Sequence, residues 1–168
     1  SMELGGNAPF IVFDDADIDA AVQGALISKY RNSGQTCVCT NRIFVQDSIH
    51  DVFVEKLVAA TAELKMGNGL DEGVQQGPLV NEKAVEDVDR LVRLSTDAGA
   101  QVALGGARSD LGPCYYQPTV LTGVTSDMAV FRNEIFGPVA PVMSFADEAE
   151  AIGLANDTEF GLASYFYT

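Results

Sequence analysis

Apolar segments of strand length alternate along this chain with amphipathic segments of helical length, and that alternation restricts the fold more than any other feature. Pro9 to Phe13 reads as a short buried strand. A helix follows from about Ile18 to Arg31, capped by one of Asp14, Asp15 and Asp17 and closed by Asn32-Ser33-Gly34, with Gly34 in the left-handed conformation. Arg42 to Gln46 is a second strand. Ile49 to Lys65 is a helix with apolar positions at Val52, Phe53, Leu57 and Leu64, and Met66 to Asn81 is a glycine-rich loop. Glu82 to Asp97 is a third helix. Gln101 to Leu104 and Tyr115 to Val124 read as strands, Asn133 to Pro138 as a turn, Val139 to Phe145 as a strand, Asp147 to Ala155 as a helix, and Ala163 to Tyr167 as a last strand. The pattern predicts right-handed crossovers and an α/β fold, with a largely parallel twisted sheet flanked by helices.

A chain of 168 residues with 47% hydrophobic side chains can bury the core of one domain and is not disordered. No apolar run approaches the ~18 residues of a membrane span. The net charge of −14, from 24 acids and 10 bases scattered over helical faces, argues against nucleic acid and membrane partners. Three cysteines, Cys37, Cys39 and Cys114, are too few for a disulfide-stapled secreted domain, so a reducing cytoplasm is the expected compartment. No Cys/His cluster has zinc spacing, and no metal is expected. The single histidine, His50, reads as a surface residue opening a helix, which leaves Cys37 without a histidine partner. Residues 1–2, Ser1-Met2, read as an expression-tag scar.

Gly34-Gln35-Thr36-Cys37 joins a helix to a strand, a place where α/β folds carry chemistry. A thiolate attacks carbonyls when its pKa is lowered or a base activates it, although a lone loop cysteine is more often a small buried apolar residue. The surrounding residues, Tyr30-Arg31-Asn32-Ser33-Gly34-Gln35-Thr36-Cys37, resemble the active-site cysteine signature of the aldehyde dehydrogenases. Glu3-Leu4-Gly5-Gly6-Asn7-Ala8 resembles the glutamate signature of the same family, and the separation of 37 − 3 = 34 residues fits it. Glu134-Ile135-Phe136-Gly137-Pro138 resembles a third family motif, and Asn156-Asp157-Thr158 with Gly161-Leu162 a fourth. The likeness covers the chain after Met2.

That resemblance implies a catalytic (cysteine) domain over residues 3–168, with the cofactor-binding domain absent. It implies Cys37 as the nucleophile that forms a thiohemiacetal and then a thioester. Glu3 becomes the general base for hydrolysis, Glu134 the acceptor of nicotinamide-ribose hydroxyls, and Phe136 a residue lying against the cofactor, NAD or NADP. A homo-oligomeric parent, dimer or tetramer, is also implied. No Rossmann or P-loop phosphate loop occurs, so the residues by themselves are expected to be inactive.

Arg31 lies six residues before Cys37. A cation is favourable at a helix C-terminus for its own sake. Within the family, arginine there followed by Thr36-Cys37-Val38-Cys39 is similar to the succinate-semialdehyde dehydrogenases, which implies a guanidinium fork that binds a substrate carboxylate. Glutarate semialdehyde is the neighbouring possibility. Cys39 is a possible redox partner of Cys37, since residues two apart can bring their Cα atoms within ~7 Å. A non-enzymatic module of the same fold, or a thiol hydrolase, are the competing readings. Retention of Cys37, Glu3 and Glu134 together argues against the first, and the missing histidine partner and C-x-x-C against the second.

Overall fold

A computed structural model describes residues 4–168. Six strands form one sheet: β1 (Ala8–Val12), β2 (Thr40–Gln46), β3 (Gln101–Leu104), β4 (Thr119–Thr122), β5 (Val139–Phe145) and β6 (Tyr165–Tyr167). Their order is β3-β4-β5-β2-β1-β6, and every neighbouring pair from β4 to β6 is parallel. The α/β expectation holds. The exception to parallel pairing is β3, which runs antiparallel to β4. Between them the chain doubles back through an antiparallel bridge, Arg108 to Tyr116, and no helix is left to carry a crossover.

Helices α1 (Ile18–Tyr30) and α2 (His50–Ala62) cover one face, burying Ala21, Val22, Ala25, Phe53 and Leu57 against Phe10, Val12, Ile43 and Val45. Helices α3 (Glu82–Asp97), α4 (Ala129–Arg132) and α5 (Glu148–Asn156) pack on the other, around Phe44, Leu121, Phe131, Val139 and Phe145. Strand β2 shows the logic: Phe44 points to one face and its neighbours Ile43 and Val45 to the other, all fully buried. Asp17, Asn81 and Asp147 cap α1, α3 and α5 by accepting the N–H groups of Ala20, Ala84 and Glu150.

Several expectations need correction. The strand read from Tyr115 to Val124 shortens to Thr119–Thr122, because Ser109 and Tyr115 bond within the preceding excursion and Pro118 has no N–H to give a ladder. Helix α2 stops at Ala62, where Leu64 N–H turns back to the Thr61 carbonyl and Lys65 bonds the loop at Gln75 and Gln76. Val52, placed on the apolar face of α2, is 47% exposed. His50 is half-buried, with Nδ1 3.0 Å from Asp51 Oδ1. Among the described residues no helix is long and apolar enough to cross a membrane.

Candidate active site

Each of the four signature segments stands immediately before one of four adjacent parallel strands. Asn133 to Pro138 precedes β5, Thr36 to Cys39 precedes β2, Gly5-Gly6 precedes β1, and Asn156 to Leu162 precedes β6. Parallel strands put these N-terminal ends along one edge of the sheet, so segments distant in sequence become neighbours. The edge is opposite to the carboxyl-end crevice usual in open α/β sheets.

The cysteine loop is held in a costly backbone shape. Arg31–Gly34 forms a 3-10 turn in which Asn32, Ser33 and Gly34 take φ of 51°, 54° and 76°. Left-handed non-glycine residues cost about 1 kcal/mol or more each, and persist only where their surroundings over-determine them. Here Ser33 Oγ donates to the Gly77 carbonyl (3.0 Å), Gln76 Nε2 to the Tyr30 carbonyl (2.8 Å), and Val80 N–H to Gln35 Oε1 (2.8 Å). At Gly34 a Cβ would lie 2.0 Å from the Gly137 carbonyl oxygen, so only glycine lets this turn meet the Glu134 segment.

Cys37 is half-buried and lines a cavity of about 370 Å³ with Leu4, Gly5, Gln35, Thr36, Glu134 and Phe136. The fold thus joins three residues singled out from sequence: Cys37, Glu134 and Phe136. One Glu134 oxygen accepts the Gly6 N–H at 2.9 Å. Gly6 lies so close to the cysteine loop that a Cβ would stand 2.0 Å from the Cys37 carbonyl oxygen. Phe136 is 42% exposed at the rim and takes φ of 52°, a third non-glycine residue in the left-handed region.

The other expected residues stand differently. Glu3 lies outside the described residues. Arg31 is exposed on the 3-10 turn and is not part of the described wall of the Cys37 cavity. Cys39 is buried and not disulfide-bonded, with Sγ 2.8 Å from Thr36 Oγ1 and a weak 3.8 Å bond to the Arg31 carbonyl.

Two features escaped the sequence reading. Lys29, in the last turn of α1, is 1% exposed, and burial pulls its ammonium down to about 8 against the opposing charges of Cys39 and Glu134. A buried polar network also underlies the pocket. Arg42, fully buried, donates to the carbonyls of Asn7, Leu154 and Ala155, while its guanidinium lies over the Phe131 ring. Asn7 donates to the Phe131 carbonyl and to Thr158 Oγ1, which brings in the fourth signature segment. The available signal was a run of polar residues, Thr40-Asn41-Arg42, opening a strand that is buried from Thr40 to Val45.

The aldehyde dehydrogenase family model matches residues 1–168. The chain belongs to that family. It is 59% identical over 167 residues to a glutarate-semialdehyde dehydrogenase of Pseudomonas aeruginosa, covering 99% of this chain and 35% of the relative. It is 57% identical to a 3-sulfolactaldehyde dehydrogenase of Pseudomonas putida, covering 100% of this chain and 35% of the relative. The solved structure of a succinate-semialdehyde dehydrogenase from Burkholderia pseudomallei matches with a TM-score of 0.98 and 56% identity, over 100% of this chain and 35% of that one. The chain therefore spans about a third of the length of these family members.

Proposed function

We propose that the full-length protein oxidises succinate semialdehyde to succinate with NAD or NADP, through a covalent intermediate on Cys37. The observation that carries this reading is the single pocket in which Cys37, Glu134 and Phe136 meet beside Gly5.

The residues present fit the nicotinamide end of a dinucleotide. Glu134 commits one oxygen to Gly6 N–H and keeps the other for ribose hydroxyls, while Phe136 offers an apolar face at the rim. When bound, the nicotinamide supplies the hydride acceptor. No phosphate-binding loop occurs in these residues, so the phosphates are held by another part of the protein, and the 168 residues alone are inactive.

On this reading the Cys37 thiolate attacks the aldehyde carbon, and the carbonyl π pair moves to oxygen. The Cys37 N–H, which makes no backbone hydrogen bond among the described residues, is a candidate donor to that oxyanion. Collapse of the thiohemiacetal with loss of hydride leaves a thioester on Cys37. Water then adds to the thioester carbonyl as Glu3 takes its proton, and the Cys37 thiolate leaves as the carboxylate forms.

The substrate class rests on charge. Aldehydes named for the three relatives each carry an anionic group, a carboxylate or a sulfonate. A chain of net charge −14 repels such molecules unless a cation receives them, and Arg31 lies six residues before the nucleophile. Glutarate semialdehyde, longer by one CH₂, is the second reading, favoured by the Pseudomonas aeruginosa relative.

The test is kcat/KM of the full-length protein for both semialdehydes and for butanal, with each cofactor. Two charge-assisted hydrogen bonds predict at least roughly 100-fold preference for the semialdehydes. Higher kcat/KM for glutarate semialdehyde would select the second reading. Equal rates with butanal would overturn recognition of an anion, and no cofactor reduction with any aldehyde would overturn the oxidation itself.

A further inference from the structure

We infer that Asn41 is a positioning residue for the Glu134 carboxylate, and thereby for the cofactor; this rests on the role proposed above for Glu134. Asn41 is 3% exposed, on β2 four residues beyond Cys37. Its side-chain amide brackets Glu134: Nδ2 donates to the carbonyl of Asn133 at 2.9 Å, and Oδ1 accepts the N–H of Ile135 at 3.0 Å. The peptide groups on both sides of Glu134 are therefore held by one side chain, as a neighbouring strand would hold them. This happens just before β5 begins, where Glu134 has no backbone ladder of its own.

The second Nδ2 hydrogen reaches Asn7 Oδ1 at 2.6 Å. Asn7 follows Gly6, whose N–H donates to the Glu134 carboxylate at 2.9 Å. One amide thus sets both the backbone of Glu134 and the donor that aims its carboxylate. It also fixes the start of the strained Phe136 turn, since Ile135 is the residue before it. Two donors and one acceptor are all used, so the position calls for an amide of this length. Aspartate has the same shape but no donors: it keeps the Ile135 contact and sets a carboxylate against Asn7 Oδ1 and the Asn133 carbonyl.

Cys37 is not a partner of this amide, and that separates the two halves of the chemistry. Acylation of Cys37 by an activated ester such as p-nitrophenyl acetate needs the thiolate and no hydride acceptor. Asn41→Asp in the full-length protein is expected to weaken NADH and NADPH binding, read by ligand fluorescence, by about tenfold, the scale of one hydrogen bond lost between Glu134 and the cofactor. Cofactor-free hydrolysis of p-nitrophenyl acetate is expected to fall by less than cofactor affinity does, because Asn41 reaches the Cys37 loop only through Asn7 and Gly6. In the Glu134→Gln background, Asn41→Asp is expected to add little further loss of cofactor affinity, because it acts through Glu134.

Unchanged cofactor affinity in Asn41→Asp, with a loss in Glu134→Gln, would overturn this inference and leave the cofactor role of Glu134 standing. Unchanged affinity in Glu134→Gln would remove that role itself. Equal loss of ester hydrolysis and cofactor binding in Asn41→Asp would make Asn41 a support of the fold. Asn41→Ser, which is smaller and adds no charge, repeats the test if the aspartate variant does not fold; failure of both to fold overturns the inference.

Discussion

Gly6→Ala tests how tightly the glycine pair is built against the cysteine loop. A Cβ on Gly6 would sit 2.0 Å from the carbonyl oxygen of Cys37 and 3.1 Å from its carbonyl carbon. Both belong to backbone, so no rotamer change relieves the overlap. Real Cβ contacts essentially never fall below 3.0 Å, and the two segments must therefore separate by about 1 Å. Overpacking of this kind costs roughly 1–3 kcal/mol of stability. The larger effect falls on chemistry: a displacement of about 1 Å at reacting groups costs on the order of 100-fold. Because Gly6 N–H also holds Glu134, the same movement loosens the carboxylate. The assay is kcat/KM for semialdehyde oxidation in the full-length protein, corrected for the folded fraction. Gly153→Ala is the control: a Cβ there meets nothing within 4 Å, and alanine in helix α5 is expected to stabilise by roughly 0.5–1 kcal/mol at unchanged activity. Gly6→Ala activity within about threefold of wild type would refute the steric argument.

Burial lowers Lys29 to about 8 from 10.5, so between those values the folded chain has released a proton that the unfolded chain keeps, and stability rises with pH through that window. Lys29→Met is therefore expected to be more stable than wild type near pH 7, by up to about 3 kcal/mol, with the gap closing by pH 10; a gap independent of pH in thermal unfolding would contradict this. Arg31→Ala is expected to lower kcat/KM for succinate semialdehyde by one to a few powers of ten while sparing butanal, at roughly 1.4 kcal/mol per tenfold; equal losses on both would make Arg31 a support of the loop. Mild oxidant is expected to join Cys37 to Cys39 and silence the enzyme until a thiol reductant is added. Cys39 must first leave Thr36, and unchanged oxidant sensitivity in Cys39→Ala would exclude the pairing.

Alternation of strands and helices was legible because most elements keep one face or both in the core, the edge strand β3 being the exposed exception. Helix α3 has the boundaries read from sequence because Asn81 caps its start and Gly99, at φ of 112°, ends the turn after it. The boundaries of β4 and α2 were not legible, since loop hydrogen bonds at Ser109, Tyr115 and Lys65 decide them and those partners come from a distance. Cys37, Glu134 and Phe136 were legible as a set only through the four motifs. No periodicity reports that segments about 100 residues apart precede neighbouring parallel strands, and that fact makes one site of them. Strain at Asn32, Ser33 and Phe136 was hidden for a related reason: tertiary contacts hold non-glycine residues where their own propensity would not put them. Arg42 read as the first residue of its strand and Asn41 as lying before it, although the strand begins at Thr40 and polar side chains buried on both of its faces had to find partners.

The proposed chemistry requires Cys37 to carry the substrate as a thioester. The direct measurement is acid quench of the full-length protein during turnover with succinate semialdehyde and oxidised cofactor, followed by peptide mass spectrometry. A succinyl adduct on the peptide bearing Cys37 is predicted, on Sγ of Cys37 and not of Cys39, growing when Glu3→Gln slows hydrolysis and absent in Cys37→Ala. Turnover with no adduct on Cys37, or Cys37→Ala that still oxidises the aldehyde, would contradict it.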